Sequence, residues 1–208
     1  MVMRPSANAA VAILAKAPIP GFAKTRLIPA IGAHAAAVLQ ERLTERAVAT
    51  ACAAGVGPVT LWCSPTIDRT SFQNLAGAFP ILLKQQPGGD LGGRMLGAIA
   101  AHNGPTLVIG TDCPALAAKD LRAAAAALED ADVVLIPAED GGYVLIGART
   151  VHAELFSGIG WGSPTVLSET RARIAALGLK RIELPTLWDV DTEEGLARLE
   201  TLFPEMAL

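Results

Sequence analysis

Short apolar runs alternate with longer, alanine-rich amphipathic stretches along most of the chain. The runs AAVAILA (9–15), VTLWCS (59–64), FPILLKQ (79–85), TLVIG (106–110), DVVLIPA (132–138), YVLIGA (143–148) and KRIELP (180–185) predict strands. Most are apolar at successive positions rather than at every second one, as expected of strands covered on both faces. Between them a helical period predicts helices over 33–54 (closing at Gly55), 91–102, 119–130, 163–177 and 192–203. Three glycines count against the helix over 91–102. EDGG, between the fifth and sixth runs, is turn chemistry.

Alternating strands and helices predict an α/β domain, a mostly parallel sheet with helices on both faces, over residues 1–208. No low-complexity or linker-like segment divides it. In open sheets of this class ligands bind beyond the carboxyl ends of the strands. The residues that follow each strand are therefore the candidates for chemistry.

Composition narrows the functions. Of 208 residues 51% are hydrophobic and 18% charged, enough apolar material for a substantial core. The formal net charge is −3 and no Lys/Arg run occurs, which disfavours a nucleic-acid polymer or an anionic membrane surface as partner. The longest apolar stretches are too short to span a bilayer. Arg4 followed by AAVAILA has the outline of a leader segment, with AKA as its cleavage site. The apolar part is only seven residues and Lys16 closes it, so it reads as the first strand. Three cysteines without C-x-x-C spacing argue against a disulfide framework and a cysteine zinc site, and a reducing cytoplasm is the expected compartment.

At the strand ends, KAPIPGFAKTRLIP places Lys16, Lys24 and Arg26 in one loop shaped by Pro18, Pro20 and Gly21. No Gly directly precedes a Lys as in Walker A, and no G-x-G-x-x-G is present. The cations suit a polyphosphate, or are simply solvated. QQPGGDLGGRM flanks Asp90 with paired glycines, for close backbone approach or for a tight turn. IGTDCP ends a strand on Asp112, with Pro114 preventing its continuation; a turn would look the same. Asp140-Gly141-Gly142 reads as a hairpin turn, and Asp191 with Glu194 three residues on reads as a helix N-cap with a capping box. Yet Asp112, Asp140, Asp189 and Asp191 all fall where one crevice should lie, facing the basic loop. Hard carboxylate oxygens and phosphate-binding cations together make a Mg²⁺–nucleotide site. Only His152 lies near a strand-end loop, which disfavours zinc or histidine-base chemistry.

The stretches LAKAPIPGFAKTRLIPAIG, GGDLGGRM, IGTDCPAL, PAEDGGYVLIG, WGSPTVLSET and LPTLWDVDTEEGL, in this order from about residue 9 to 200, resemble a bacterial GT-A-type glycosyltransferase-like family. That family carries a domain of unknown function, and some members are labelled arsenosugar-biosynthesis glycosyltransferases. AKTRL and DVDT also resemble 2-phospholactate guanylyltransferase and, more distantly, the molybdenum-cofactor guanylyltransferase. The resemblance implies a single-domain nucleotide-diphospho-sugar transferase fold (GT-A, Rossmann-like). It implies that Asp112, with Asp191, holds Mg²⁺ or Mn²⁺; the D-x-D region here is T-D-C, with one acidic residue. Lys24 and Arg26 would hold phosphates and neutralise the leaving group. Ala15, Lys16, Asp90, Gly92 and Arg94 complete the candidate nucleotide site. Gly141, Gly142, Tyr143 and Trp161 would face the acceptor, and Asp140 could act as base.

The expected function is a metal-dependent transferase using a nucleotide-activated donor and a small-molecule acceptor, glycosyl transfer from a nucleotide sugar foremost. Nucleotidyl transfer with pyrophosphate release stays open. So does a non-catalytic nucleotide-binding protein on the same fold, and homodimer formation is undecided.

Overall fold

The seven apolar runs form a single mixed sheet. The computed structural model describes residues 8–206 and Leu208; Arg4 lies outside the described residues. The strands are β1 Ala10–Lys16, β2 Val59–Ser64, β3 Ile81–Gln85, β4 Thr106–Ile109, β5 Val133–Pro137, β6 Tyr143–Ala148 and β7 Arg181–Glu183. Their order is β3-β2-β1-β4-β6-β5-β7. All neighbours are parallel except β6, which runs antiparallel to both β4 and β5. The reversal follows from the EDGG turn: five residues between strands, Ala138 to Gly142, allow a hairpin and no crossover helix.

Side chains alternate across the sheet. From β1, Val11, Ile13 and Ala15 enter one core with α1 (Ile28–Ala54), α2 (Thr70–Ala78) and α4 (Ala118–Asp130). Ala12 enters a second core, with Leu14 packed against it, under α3 (Leu91–Ala100) and α5 (Val166–Ala176). A third cluster ties the start of α1, through Leu39 and Leu43, to Trp188, Val190 and α6 (Glu193–Leu202). It anchors the chain's last loop beside the first. No helix among the described residues is long and apolar enough to cross a membrane.

Helix α1 starts at Ile28 rather than 33, with a break at Gly32 (φ 78°, ψ 159°), a conformation open to glycine. Helix α2 was not expected: TSFQNLAGA fully buries only Phe72, so its apolar period is faint. Helix α3 forms despite its glycines, because Met95, Ala98 and Ile99 supply a buried face.

Candidate active site

Beyond the carboxyl ends of β1, β4 and β5 lies a cavity of about 600 Å³, within the range of small-molecule sites. Its floor is built by Lys24. This residue is left-handed (φ 48°, ψ 41°), a conformation that costs a non-glycine residue about 1–2 kcal/mol. Its side chain is 2% exposed. The ammonium donates to the Val190 carbonyl (2.8 Å), to Asp191 Oδ1 (3.0 Å) and to Asp112 Oδ1. An ammonium has three protons, and all three are engaged. Burial alone would lower the Lys24 pKa; the Asp112 and Asp191 carboxylates outweigh it and hold the pKa above its ordinary value.

The two aspartates arrive from opposite parts of the sequence. Asp112 follows β4, and its carbonyl accepts from Val190 N–H (2.9 Å). Behind it, buried Gln40 of α1 donates to Thr111 Oγ1 (3.0 Å), and Arg46 donates to the Pro114 carbonyl (2.7 Å). Asp189 and Asp191 come from LWDVD. This stretch runs beside the end of β5, with Leu187 N–H donating to the Pro137 carbonyl and Glu139 N–H to that of Leu187. Trp188 and Val190 are buried, and Asp189 and Asp191 turn to the cavity, the period-two alternation of an extended chain. The helix behind is capped by Thr192, whose Oγ1 accepts from Gly195 N–H (3.2 Å). The capping-box reading of Asp191 is thereby corrected: the cap falls one residue later, and Asp191 faces Lys24 and, at 3.6 Å, Arg26.

The expected phosphate ligands divide. Ala15, Lys16, Arg26 and Arg94 line the cavity. Lys16 and Arg26 are exposed, so their charges are available. Lys24 lines it too, but its ammonium is engaged by the Val190 carbonyl, Asp191 and Asp112. Asp90 and Gly92 do not line the cavity. Asp90 caps α3 by accepting from Gly93 N–H (2.8 Å). Gly92 seats Trp161: a Cβ there would lie 2.7 Å from the indole. Gln86, which the motif reading passed over, donates to the Ala15 and Trp62 carbonyls and lines the wall beside Arg94. It follows a strand like the other site residues, but a lone glutamine carries no distinctive signal. Gln40 was hidden among the polar positions of a long helix.

On the far wall stand Asp140, Gly142, Tyr143 and Trp161. The hairpin reading of Asp140 holds: its Oδ1 accepts from Gly142 N–H (2.8 Å). It also lines the cavity, so turn and site coincide. Gly141 does not line it; at φ 91° it packs on Pro164, whose carbonyl oxygen would stand 2.2 Å from a Cβ. Burial first, then repulsion from Asp140, Asp191 and Asp112, pushes the Asp189 carboxyl up to about 6. Burial likewise pushes the Cys113 thiol up to about 12, so it is no ready nucleophile.

The donor set fits a Mg²⁺-type ion. Lys24 engages one oxygen of Asp112 and one of Asp191; Asp112 keeps its second, and that of Asp191 lies 3.6 Å from exposed Arg26. No group of three or more His, Cys, Asp or Glu side chains arranged to cage an ion occurs among the described residues. One or two carboxylates, with water and substrate oxygens completing the shell, is what Mg²⁺ takes.

A mixed sheet of this order with helices on both faces is the fold of nucleotide-diphospho-sugar transferases among solved structures. The chain belongs to the family described as an uncharacterized protein conserved in bacteria (DUF2064), which matches residues 47–163. Among solved structures it is similar to a provisionally assigned nucleotide-diphospho-sugar transferase from Desulfovibrio desulfuricans G20 (24% identity, TM-score 0.81, 97% of this chain and 99% of that one). It is similar in fold to CMP:2-keto-3-deoxy-manno-octonic acid synthetase complexed with CTP (14%, TM-score 0.58, 95% and 99%). A third likeness is to Rv0371c from Mycobacterium tuberculosis H37Rv in complex with manganese (15%, TM-score 0.52, 93% and 99%). A comparison with curated proteins finds no match.

Proposed function

We propose that this protein is a transferase that takes a nucleotide-activated donor, foremost a nucleotide sugar, and transfers its glycosyl group to a small acceptor. The observation that carries the reading is the cavity's charge layout. Lys16, Arg26 and Arg94 line one space with Asp112 and Asp191, and none is buried and fully engaged as Lys24 is, although Arg26 lies 3.6 Å from Asp191 and Arg94 donates to the Gly89 carbonyl. Such cations suit a diphosphate, and the carboxylates beside them suit the divalent ion that accompanies it. Asp112 and Asp191 would hold Mg²⁺ or Mn²⁺, which when bound neutralises phosphate charge. The manganese complex of Rv0371c supports a metal on this fold.

The protein's own groups then have distinct tasks. The basic wall binds the diphosphate and stabilises the charge that grows on it as the leaving group. Asp140 has one oxygen fixed by Gly142 N–H and a second available to an acceptor hydroxyl. As the acceptor oxygen bonds to the sugar carbon, the bond from that carbon to phosphate breaks, the proton passes to Asp140, and a nucleoside diphosphate leaves. The likeness to a CTP-bound synthetase favours a second reading, nucleotidyl transfer, in which the bond broken lies at the α-phosphate and pyrophosphate leaves.

A melting panel of nucleoside triphosphates and nucleotide sugars, with and without Mg²⁺, tests the reading. A ligand at 100 times its Kd adds about 2.7 kcal/mol, a rise of about 5–10 °C for a chain of this size. Analysis of the released product then separates nucleoside diphosphate from pyrophosphate. If Mg²⁺ leaves every nucleotide's shift unchanged, the proposal fails.

A further inference from the structure

We infer that the acceptor is a hydroxyl compound of sugar or polyol type without an anionic group; this rests on the donor-transfer reading above. The cavity is polar in the electrical sense. Among the described residues, its cationic lining comes from Lys16, Lys24, Arg26 and Arg94, borne by β1, the loop after it and the helix after β3. These belong to the β3-β2-β1 half of the sheet. The rest of the lining, from the end of β5, the start of β6, the loop before α5 and the LWDVD stretch after β7, presents Asp140, Tyr143, Trp161, Ser163 and Asp189. Among the described residues no Lys or Arg of these segments lines the cavity, although the Lys24 charge reaches Asp189. Arg198, on α6 behind LWDVD, is engaged elsewhere: it pairs with Glu139 at 2.8 Å and lies over the Trp188 ring at 4.5 Å.

Sites built for phosphate or carboxylate groups use Arg or Lys. Here such a group would face carboxylates instead, an arrangement that specific sites use to reject a ligand. What the wall offers is different. Tyr143 and Trp161 give aromatic surface for a carbon skeleton. Asp140 keeps an acceptor oxygen free for a hydroxyl. Trp161 Nε1 is the one buried side-chain nitrogen or oxygen without a partner among the described residues. That nitrogen packs against Gly92, off the cavity, so the wall presents the carbon surface of the indole rather than its N–H.

Saturation-transfer NMR tests this with matched pairs: glycerol against glycerol 3-phosphate, and glucose against glucose 6-phosphate. The protein is first saturated with Mg²⁺ and the nucleotide that raises its melting temperature most. Saturation should pass to the neutral member of a pair about tenfold more strongly than to the anionic one. Trp161→Leu should weaken it about fivefold. Should that variant not fold, Asp140→Asn serves instead, and should raise glucose 6-phosphate binding about threefold. Anionic members binding as well as neutral ones would overturn the inference. So would silence from both members of every pair with nucleotide bound, or neutral binding indifferent to Trp161→Leu. The absence of any metal-dependent nucleotide shift, read before an acceptor is added, is the failure of the donor reading and takes this inference with it.

Discussion

Two pairs of aspartates stand at the same end of one sheet, and they live in different electrical surroundings. Asp112 and Asp191 share a buried ammonium that meets both Oδ1 atoms. Asp140 and Asp189 form no ion pair among the described residues, and at Asp189 burial and the repulsion of the other three outweigh the Lys24 charge. Identical side chains at one sheet end are thus set apart by their neighbours. Under the proposed function the clamped pair would carry the metal and the unclamped Asp140 would take the acceptor's proton.

The contrast breaks most visibly at Asp140. Asp140→Asn keeps the turn bond to Gly142 N–H and removes the proton acceptor. Turnover should fall by about 10²–10⁴, while nucleotide affinity and melting temperature hold. A variant that keeps its turnover would reduce Asp140 to a turn residue.

Next comes the clamp. Lys24→Met keeps most of the side-chain volume but leaves Asp112 and Asp191 facing each other. Losing one partner of a fully buried pair costs roughly 3–5 kcal/mol. The carboxylates here are 44% and 36% exposed, so solvent screening reduces that to about 2–3 kcal/mol. Chemical denaturation should show the loss. Added Mg²⁺ should restore part of it by supplying the missing positive charge, and wild type should respond less. If Lys24 merely bound phosphate, the variant would keep its stability in the absence of ligand.

Much of this was legible in the chain. The seven strands follow from apolar runs, and the crevice follows from asking what ends each strand. LWDVD even announces its geometry, since alternating apolar and acidic residues in an extended segment must face opposite ways. What stayed hidden depended on partners far off in sequence. Lys24 reads as a free cation until Asp112 and Val190, 88 and 166 positions away, come to meet it. Gly92 and Gly141 read as ligand-approach glycines, but Trp161 and Pro164 are what approach them. Gln40 looks like any polar residue of an exposed helix face.

The exposed cation offers a milder test. Arg26 is 67% exposed and lies 3.6 Å from Asp191. Arg26→Ala should leave the fold intact and weaken Mg²⁺–nucleotide binding by about 1.5–3 kcal/mol, the usual worth of a hydrogen bond to a charged group. Calorimetry that finds the affinity unchanged would remove the basic loop from the donor site and leave Lys16 and Arg94 to account for it.

The smallest effect separates neighbours, Asp191 and Thr192. Thr192 caps α6, so Thr192→Ala should cost about 1 kcal/mol of stability and leave metal-enhanced nucleotide binding alone. Asp191→Asn should act on binding. The cap is untouched and the amide oxygen can still accept from Lys24, but the buried ammonium loses one of its two carboxylate charges, so stability should fall as well, by about 1 kcal/mol after solvent screening. The metal, however, loses a charged ligand, and the enhancement of nucleotide binding by Mg²⁺ should disappear. If Asp112 and Asp191 serve one ion, as proposed, adding Asp112→Asn should make little further difference. A double variant that loses the product of two separate effects would mean the pair does not act as a unit. Metal-enhanced nucleotide binding that survives Asp191→Asn would remove Asp191 from the metal's ligands.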